Sequence, residues 1–229
     1  MIHQFIFAGP KPGMSAEDFQ SYWLNVHAVN YASRIVQIRQ YLIATRLRIP
    51  CPRELPFYEG VAEIWLKNDQ EQIESLQTPE FLQGARLDEP KWAAFWQTLV
   101  IDTDPEVLLE SAEPAAEFVK VYVLSKRRPD SELAEFQQNL RESHHRAALA
   151  LPGLERYLVG FSRAGAYGLG EPRFDAIEVY SFRSADAVKT ALGSEEWKAT
   201  EASLLTHADP RYIFNYIGQD HWVIPPGQR

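Results

Sequence analysis

The chain has 229 residues, and its 23 lysines and arginines stand against 31 aspartates and glutamates, a formal net charge of −8. That balance argues against nucleic acid and anionic membranes as partners, because neutralising phosphates takes clustered cations and the longest basic run is Lys126-Arg127-Arg128. Hydrophobic residues at 45% and charged residues at 24% are the composition of a globular protein with room for a sizeable core.

The lone Cys51 excludes an internal disulfide, and there is no basic start followed by a long apolar stretch, so a cytoplasmic location is expected. No apolar run approaches the ~20 residues of a membrane helix.

In chain order, the apolar segment 2–8 reads as a strand ended by Gly9-Pro10. Ser15 ahead of an acidic turn predicts an N-cap, and Phe19, Trp23, Val26 and Asn30 predict a helix over 16–32 with one inward stripe. An extended run over 41–48, a strand over 60–66 and a short helix over 70–76 follow. The aromatic segment 91–96 reads as core or interface, and the acidic, proline-containing segment 102–114 as a linker.

An offset of 117 residues then repeats the pattern: Phe19-Gln20 falls on Phe136-Gln137 and His27 on His144. The copy has a strand over 118–124, Ser131 as N-cap, a helix over 132–151, extended runs over 157–163 and 175–182, and a short helix over 185–191. Each half therefore reads as strand, helix, strand, strand, helix, strand, which is the ferredoxin-like order of an α+β fold. The expected domains are 1–110 and 115–229, with their antiparallel sheets facing each other as an intrachain α+β barrel and a cavity between them.

Strand alternation selects candidate residues. Val119, Val121 and Val123 form an apolar face for helices, so Phe118, Lys120, Tyr122 and Leu124 point the other way, as do the aligned His3, Phe5 and Phe7. Glu63 and Trp65, aligned with Glu178 and Tyr180, are expected on that same cavity-facing side. Aromatic walls with a few polar groups suit an organic ligand.

His27 continues the Phe19–Trp23 stripe and, with its mate His144, is the candidate acid–base group, since an imidazole titrates near neutrality. Glu63 and Glu178 form an alternative carboxylate pair. The segment 165–170 has three glycines but neither the order nor the lysine of a phosphate loop, and Pro172 blocks a following helix, so it reads as a flexible loop. No histidine or cysteine spacing matches a structural zinc site, and no metal is expected.

Lys11-Pro-Gly-Met-Ser-Ala-Glu-Asp-Phe19, followed by Tyr22-Trp23 and His27-Ala28, resembles the EthD family of the dimeric α+β barrel superfamily. The second half departs from it, with Leu140 in place of Trp23 and Asp130-Ser131 in place of the Gly-Met turn. The resemblance implies a cofactor-free lyase, cyclase, isomerase or monooxygenase working on aromatic or polyketide-like compounds, or a haem-binding relative, and of these the leading expectation is a cofactor-independent lyase, cyclase or dehydratase acting on a hydrophobic aromatic or polyketide-like oxygenated compound held between the sheets.

In that scheme His27 or His144 removes a proton next to a carbonyl, and Lys120, Tyr122 or His3 stabilises the enolate. Phe5, Phe7 and Trp65 hold the rings, with Glu63, Glu178 and Tyr180 also lining the site. The alternatives are a cofactor-free monooxygenase on a similar substrate and a non-catalytic protein binding haem or another hydrophobic ligand. No cofactor is expected, the partner is a small hydrophobic organic molecule, and a homodimer beyond the internal pair is compatible with this reading.

Overall fold

Apolar and aromatic side chains alternate along Ile2–Ala8, which forms β1. Further strands are β2 (Gln40–Arg46), β3 (Gly60–Leu66), β4 (Leu99–Leu109), β5 (Val119–Ser125), β6 (Leu154–Ser162), β7 (Ala176–Phe182) and β8 (Phe214–Ile224). This computed structural model describes residues 1–113, 116–168 and 170–229. Pro114 at the end of the expected linker, Ala115 at the expected start of the second domain and Leu169 of the glycine-rich segment lie outside the described residues.

The chain divides into two compact units, one of residues 1–46, 56–102 and 218–229, the other of residues 47–55 and 103–217. In the first unit β3 pairs antiparallel with both β1 and β2, and β2 pairs in turn with the end of β8, from Tyr41↔Ile224 to Arg46↔Gly218. In the second unit β7 pairs with β5 and β6, and β6 pairs with β4 from Thr103↔Ser162 to Leu109↔Tyr157. Each four-stranded sheet thus takes its last strand from the other half of the chain. The strand order is that of an eight-stranded antiparallel α+β barrel.

The expected linker is therefore largely strand. Its acidic residues stay at the surface of that strand, where Asp104 is met by Arg163 at 3.0 Å and Glu106 by Arg141 at 2.7 Å.

Helices cover one face of each sheet. In the first unit Ser15 accepts the amide of Asp18 and caps α1 (Ala16–Tyr22), which continues through a π-helical turn, Trp23–His27, to Ala28–Asn30. α2 is Asp69–Ser75. In the second unit α3 (Leu133–Asn139) runs into its own π-helical turn, Leu140–His144. Ser131 does not cap it, since the residue at the cap position is Glu132, without a side-chain bond. α4 (Ala185–Leu192) and α5 (Glu195–His207) complete the layer, α5 being a helix the sequence reading did not anticipate.

The wider π turn carries one extra residue, and it changes which side chains face the sheet. Phe19, Trp23 and His27, and likewise Phe136, Leu140 and His144, are buried at steps of four. Asn30 and Ser143, which an uninterrupted helix would turn inward, are exposed. Among the described residues no helix is long and apolar enough to cross a membrane.

Candidate active site

Between the helix layer and sheet of the first unit lies a cavity of about 390 Å³, in the range of small-molecule sites. Protein interiors pack with few voids larger than a water molecule, and this space is large enough to admit a small organic molecule. Its floor is the helix-facing side of β1 and β3, including Ile6, Ala62 and Ile64, and Trp23, His27 and Trp92 close it from above. Leu76, Phe95 and Val100 line it while remaining 51%, 42% and 51% exposed, which makes an apolar rim at its mouth.

His27 is buried, its ring 4.7 Å from that of Trp92, which also packs on Trp23 at 4.9 Å. Its Nδ1 lies 3.0 Å from Asp88 Oδ2. Asp88, 1% exposed, also accepts from the Tyr22 hydroxyl and from Lys91 Nζ, each at 3.0 Å. Burial opposes ionisation of Asp88, but the hydrogen bonds from His27, Lys91 and Tyr22 together hold its carboxyl below the usual range. An ionised Asp88 accepts a proton from Nδ1, and this partner assigns the tautomer that leaves the Nε2 lone pair available.

Burial is also the largest influence on His27 and keeps its pKa below 6.5 in spite of Asp88. The group is a neutral imidazole at pH 7, held from behind and lining an apolar space: the arrangement of a general base.

The corresponding place in the second unit is filled. Gln4 pairs with Ile64, whereas its repeat mate Val121 pairs with Tyr180; Ile6 pairs with Ala62, whereas Val123 pairs with Glu178. Glu178 and Tyr180 therefore stand where the first unit has Ala62 and Ile64, under the helices. Glu178 Oε1 accepts from Tyr157 at 2.5 Å and Tyr180 at 2.8 Å and lies 3.0 Å from His144 Nε2, all within the buried layer. Burial again disfavours a charged His144, but the charge and hydrogen bond of Glu178 outweigh it and raise its pKa above 6.5.

This corrects the expected alignment of Glu178 and Tyr180 with Glu63 and Trp65. The register differs by one residue, and one residue moves a strand side chain to the opposite face. Glu63 and Trp65 do lie on the face away from the helices, with His3, Phe5 and Phe7. There His3 Nε2 is 2.8 Å from Glu63 Oε2, and the His3 ring stacks on Trp65 at 4.2 Å. Lys120 and Tyr122 lie on the matching face of the second unit, 3% and 0% exposed, opposite Val119, Val121 and Val123.

Within the first unit His27 lies on the helix-facing side of the sheet and His3 on the reverse side, and within the second His144 lies on the helix-facing side and Lys120 and Tyr122 on the reverse side, so in neither unit does the histidine share a face with its expected partners. The sequence reading missed Asp88, which is 61 positions from His27 and carries no local motif. It also passed over Gln4, although a polar residue between Ile2 and Ile6 on the helix face is a readable signal.

Helices on a sheet, with a histidine lining the cavity between them, are the features that the first unit presents for comparison with known proteins. Residues 11–95, which supply most of that cavity, match the EthD domain. Over nearly the whole chain the fold is similar to that of an anthrone oxidase-like protein, at 11% identity and a TM-score of 0.63, covering 97% of this chain and 92% of that one.

It is also similar to a candidate monooxygenase from Lactobacillus acidophilus NCFM, at 14% identity and a TM-score of 0.55, covering 99% and 96%. A mutant chlorite dismutase from Candidatus Nitrospira defluvii gives 11% identity and a TM-score of 0.55, covering 97% and 91%. At these identities the likenesses establish the fold. No curated protein matches the chain.

Proposed function

We propose that the chain is a cofactor-independent lyase of the cyclase or dehydratase type, acting on a hydrophobic, oxygenated aromatic or polyketide-like compound bound in the helix–sheet cavity of the first unit. His27 Nε2 takes a proton from a carbon next to a carbonyl, and Asp88 stabilises the imidazolium that results. The enolate carbon attacks a second carbonyl of the same molecule, forming a C–C bond, and the alkoxide takes the proton back from His27. The C–C bond closes the ring, and His27 then removes a second proton from the carbon next to the carbonyl and returns it to the departing hydroxyl, so that water leaves and a C=C bond forms in the ring. Trp23 and Trp92 flank the reacting portion, while Lys120, Tyr122 and His144 take no part.

The observation that carries this reading is one histidine with Nδ1 held by a buried carboxylate and its ring lining a ligand-sized apolar cavity. The test is exchange of the methylene protons of 2-hydroxyanthrone in D2O, followed by NMR. The wild-type protein is expected to accelerate exchange and His27→Ala to lose about 10²–10⁴-fold of it; equal rates would remove His27 from the mechanism.

A second reading, a cofactor-free monooxygenase, is favoured by the similarity to the anthrone oxidase-like protein. There the same carbanion is oxidised by dioxygen, a hydroxyanthrone and O2 giving the hydroxyanthraquinone and water. Oxygen-18 in the quinone made under labelled dioxygen distinguishes this outcome from ring closure.

A further inference from the structure

The polar groups of the cavity fall into two sets, and the proton transfer uses only one. The other is Gln4 on β1, Gln72 on α2 and Asp102 in β4, all of which line the space. Gln4 Nε2 donates to Asp102 Oδ1 at 2.7 Å, and Gln72 Nε2 donates to Asp102 Oδ2 at 2.9 Å. A carboxylate only accepts, so both amides must turn their nitrogens toward it.

What this corner then offers a ligand is chiefly acceptors: the remaining lone pairs of both carboxylate oxygens and the two amide oxygens. It shares no hydrogen bond with the His27–Asp88–Tyr22 group. No lysine or arginine is among the described residues lining the cavity, and the other acidic one, Glu89, is already met by Arg86 at 2.8 Å.

Each feature limits the ligand. An anion entering here would lose its hydration, find no cation and stand beside Asp102, so carboxylates are disfavoured. A ligand without a donor would strip water from Asp102 and return no hydrogen bond, the situation in which polar sites discriminate most strongly. We infer that the ligand is an uncharged aromatic compound with at least one free hydroxyl, and that Asp102, oriented by Gln4 and Gln72, selects it by accepting that hydroxyl's hydrogen bond. The inference rests on the cavity being the substrate site.

Equilibrium dialysis of the full chain against 1-naphthol, 1-methoxynaphthalene and 1-naphthoate tests it. The wild-type protein is expected to bind 1-naphthol at least about tenfold more tightly than its methyl ether, and 1-naphthoate most weakly. Asp102→Leu is expected to abolish the preference for the hydroxyl while leaving the ether's affinity unreduced. The isosteric Asp102→Asn should narrow the preference, and serves if the leucine variant does not fold. Equal binding of naphthol and ether by the wild type, tightest binding of the naphthoate, or a preference that survives both Asp102 substitutions overturns the inference and leaves the cavity as the site. Failure of all three probes to bind overturns the cavity reading itself.

Discussion

Asp88 Oδ2 stands 3.0 Å from His27 Nδ1, a contact to the ring nitrogen opposite the one that Glu178 holds in His144, where the carboxylate meets Nε2 at 3.0 Å. The repeat makes the two histidines equivalent in the chain, and their surroundings make them different groups. One is a neutral base lining an open space; the other is half of a buried ion pair.

Their titrations should move in opposite directions. Followed by NMR of the ring protons, His27 is expected to titrate below 6.5, where burial holds it, and His144 above 6.5, where Glu178 holds it. A common midpoint for both would contradict the description of the two units. By the same account the acid limb of any proton-abstraction rate follows His27, with the rate falling as pH drops through a value below 6.5.

Stability should carry both signatures. The folded state binds His27's proton less readily than the unfolded chain, so stability is lost as pH falls below 6.5 toward the folded value. His144 works the other way: its contribution is fully present below 6.5 and is lost as pH rises through its raised folded value. Urea denaturation across this range should therefore show His144→Gln flattening the decline above pH 6.5, with no such change from His27→Gln.

Glu178 is a structural group in this account. Removing it leaves a buried histidine and two tyrosine hydroxyls without their acceptor, and Glu178→Ala is expected to lower stability by about 3–5 kcal/mol. Hydroxyanthrone exchange by the folded fraction should stay at the wild-type rate; its loss would move the chemistry to the second unit.

Gly60 allows Trp23 to lie against β3. A Cβ added there would meet the indole Cζ3 at 2.7 Å, so Gly60→Ala must displace the ring that donates to the Tyr41 hydroxyl and lines the cavity. We expect a stability loss of about 1–3 kcal/mol and weaker 1-naphthol binding. Unchanged affinity in this variant would mean that Trp23 is not part of the ligand's wall.

Much of the fold was readable because it rests on period and repetition. Strand alternation correctly assigned Val119, Val121 and Val123 to the helices and Lys120 and Tyr122 to the reverse face. Where the reading failed, the cause was a single residue. His27 was read on the inward stripe, as it is, but Asn30 was read there too, and the π turn, which adds one residue, leaves it exposed; the β3/β7 alignment slipped by one, putting Glu178 and Tyr180 on the wrong face.

The linker reading failed because an acidic, proline-containing run can still form a strand when its charged side chains stay at the surface, as Asp104 and Glu106 do in β4, paired with Arg163 and Arg141. Asp88 was not legible, since only folding brings it to His27. The difference between an open and a filled unit was legible in principle, as Ala62 and Ile64 against Glu178 and Tyr180, once the register was known.

The most direct test of the central claim is a crystal structure of the protein soaked with 1-naphthol. The account predicts ligand density in the first unit between Ile64, Trp92 and His27, with the hydroxyl within hydrogen-bond distance of Asp102. An empty cavity with the ligand ordered against Lys120 and Tyr122 instead would contradict it.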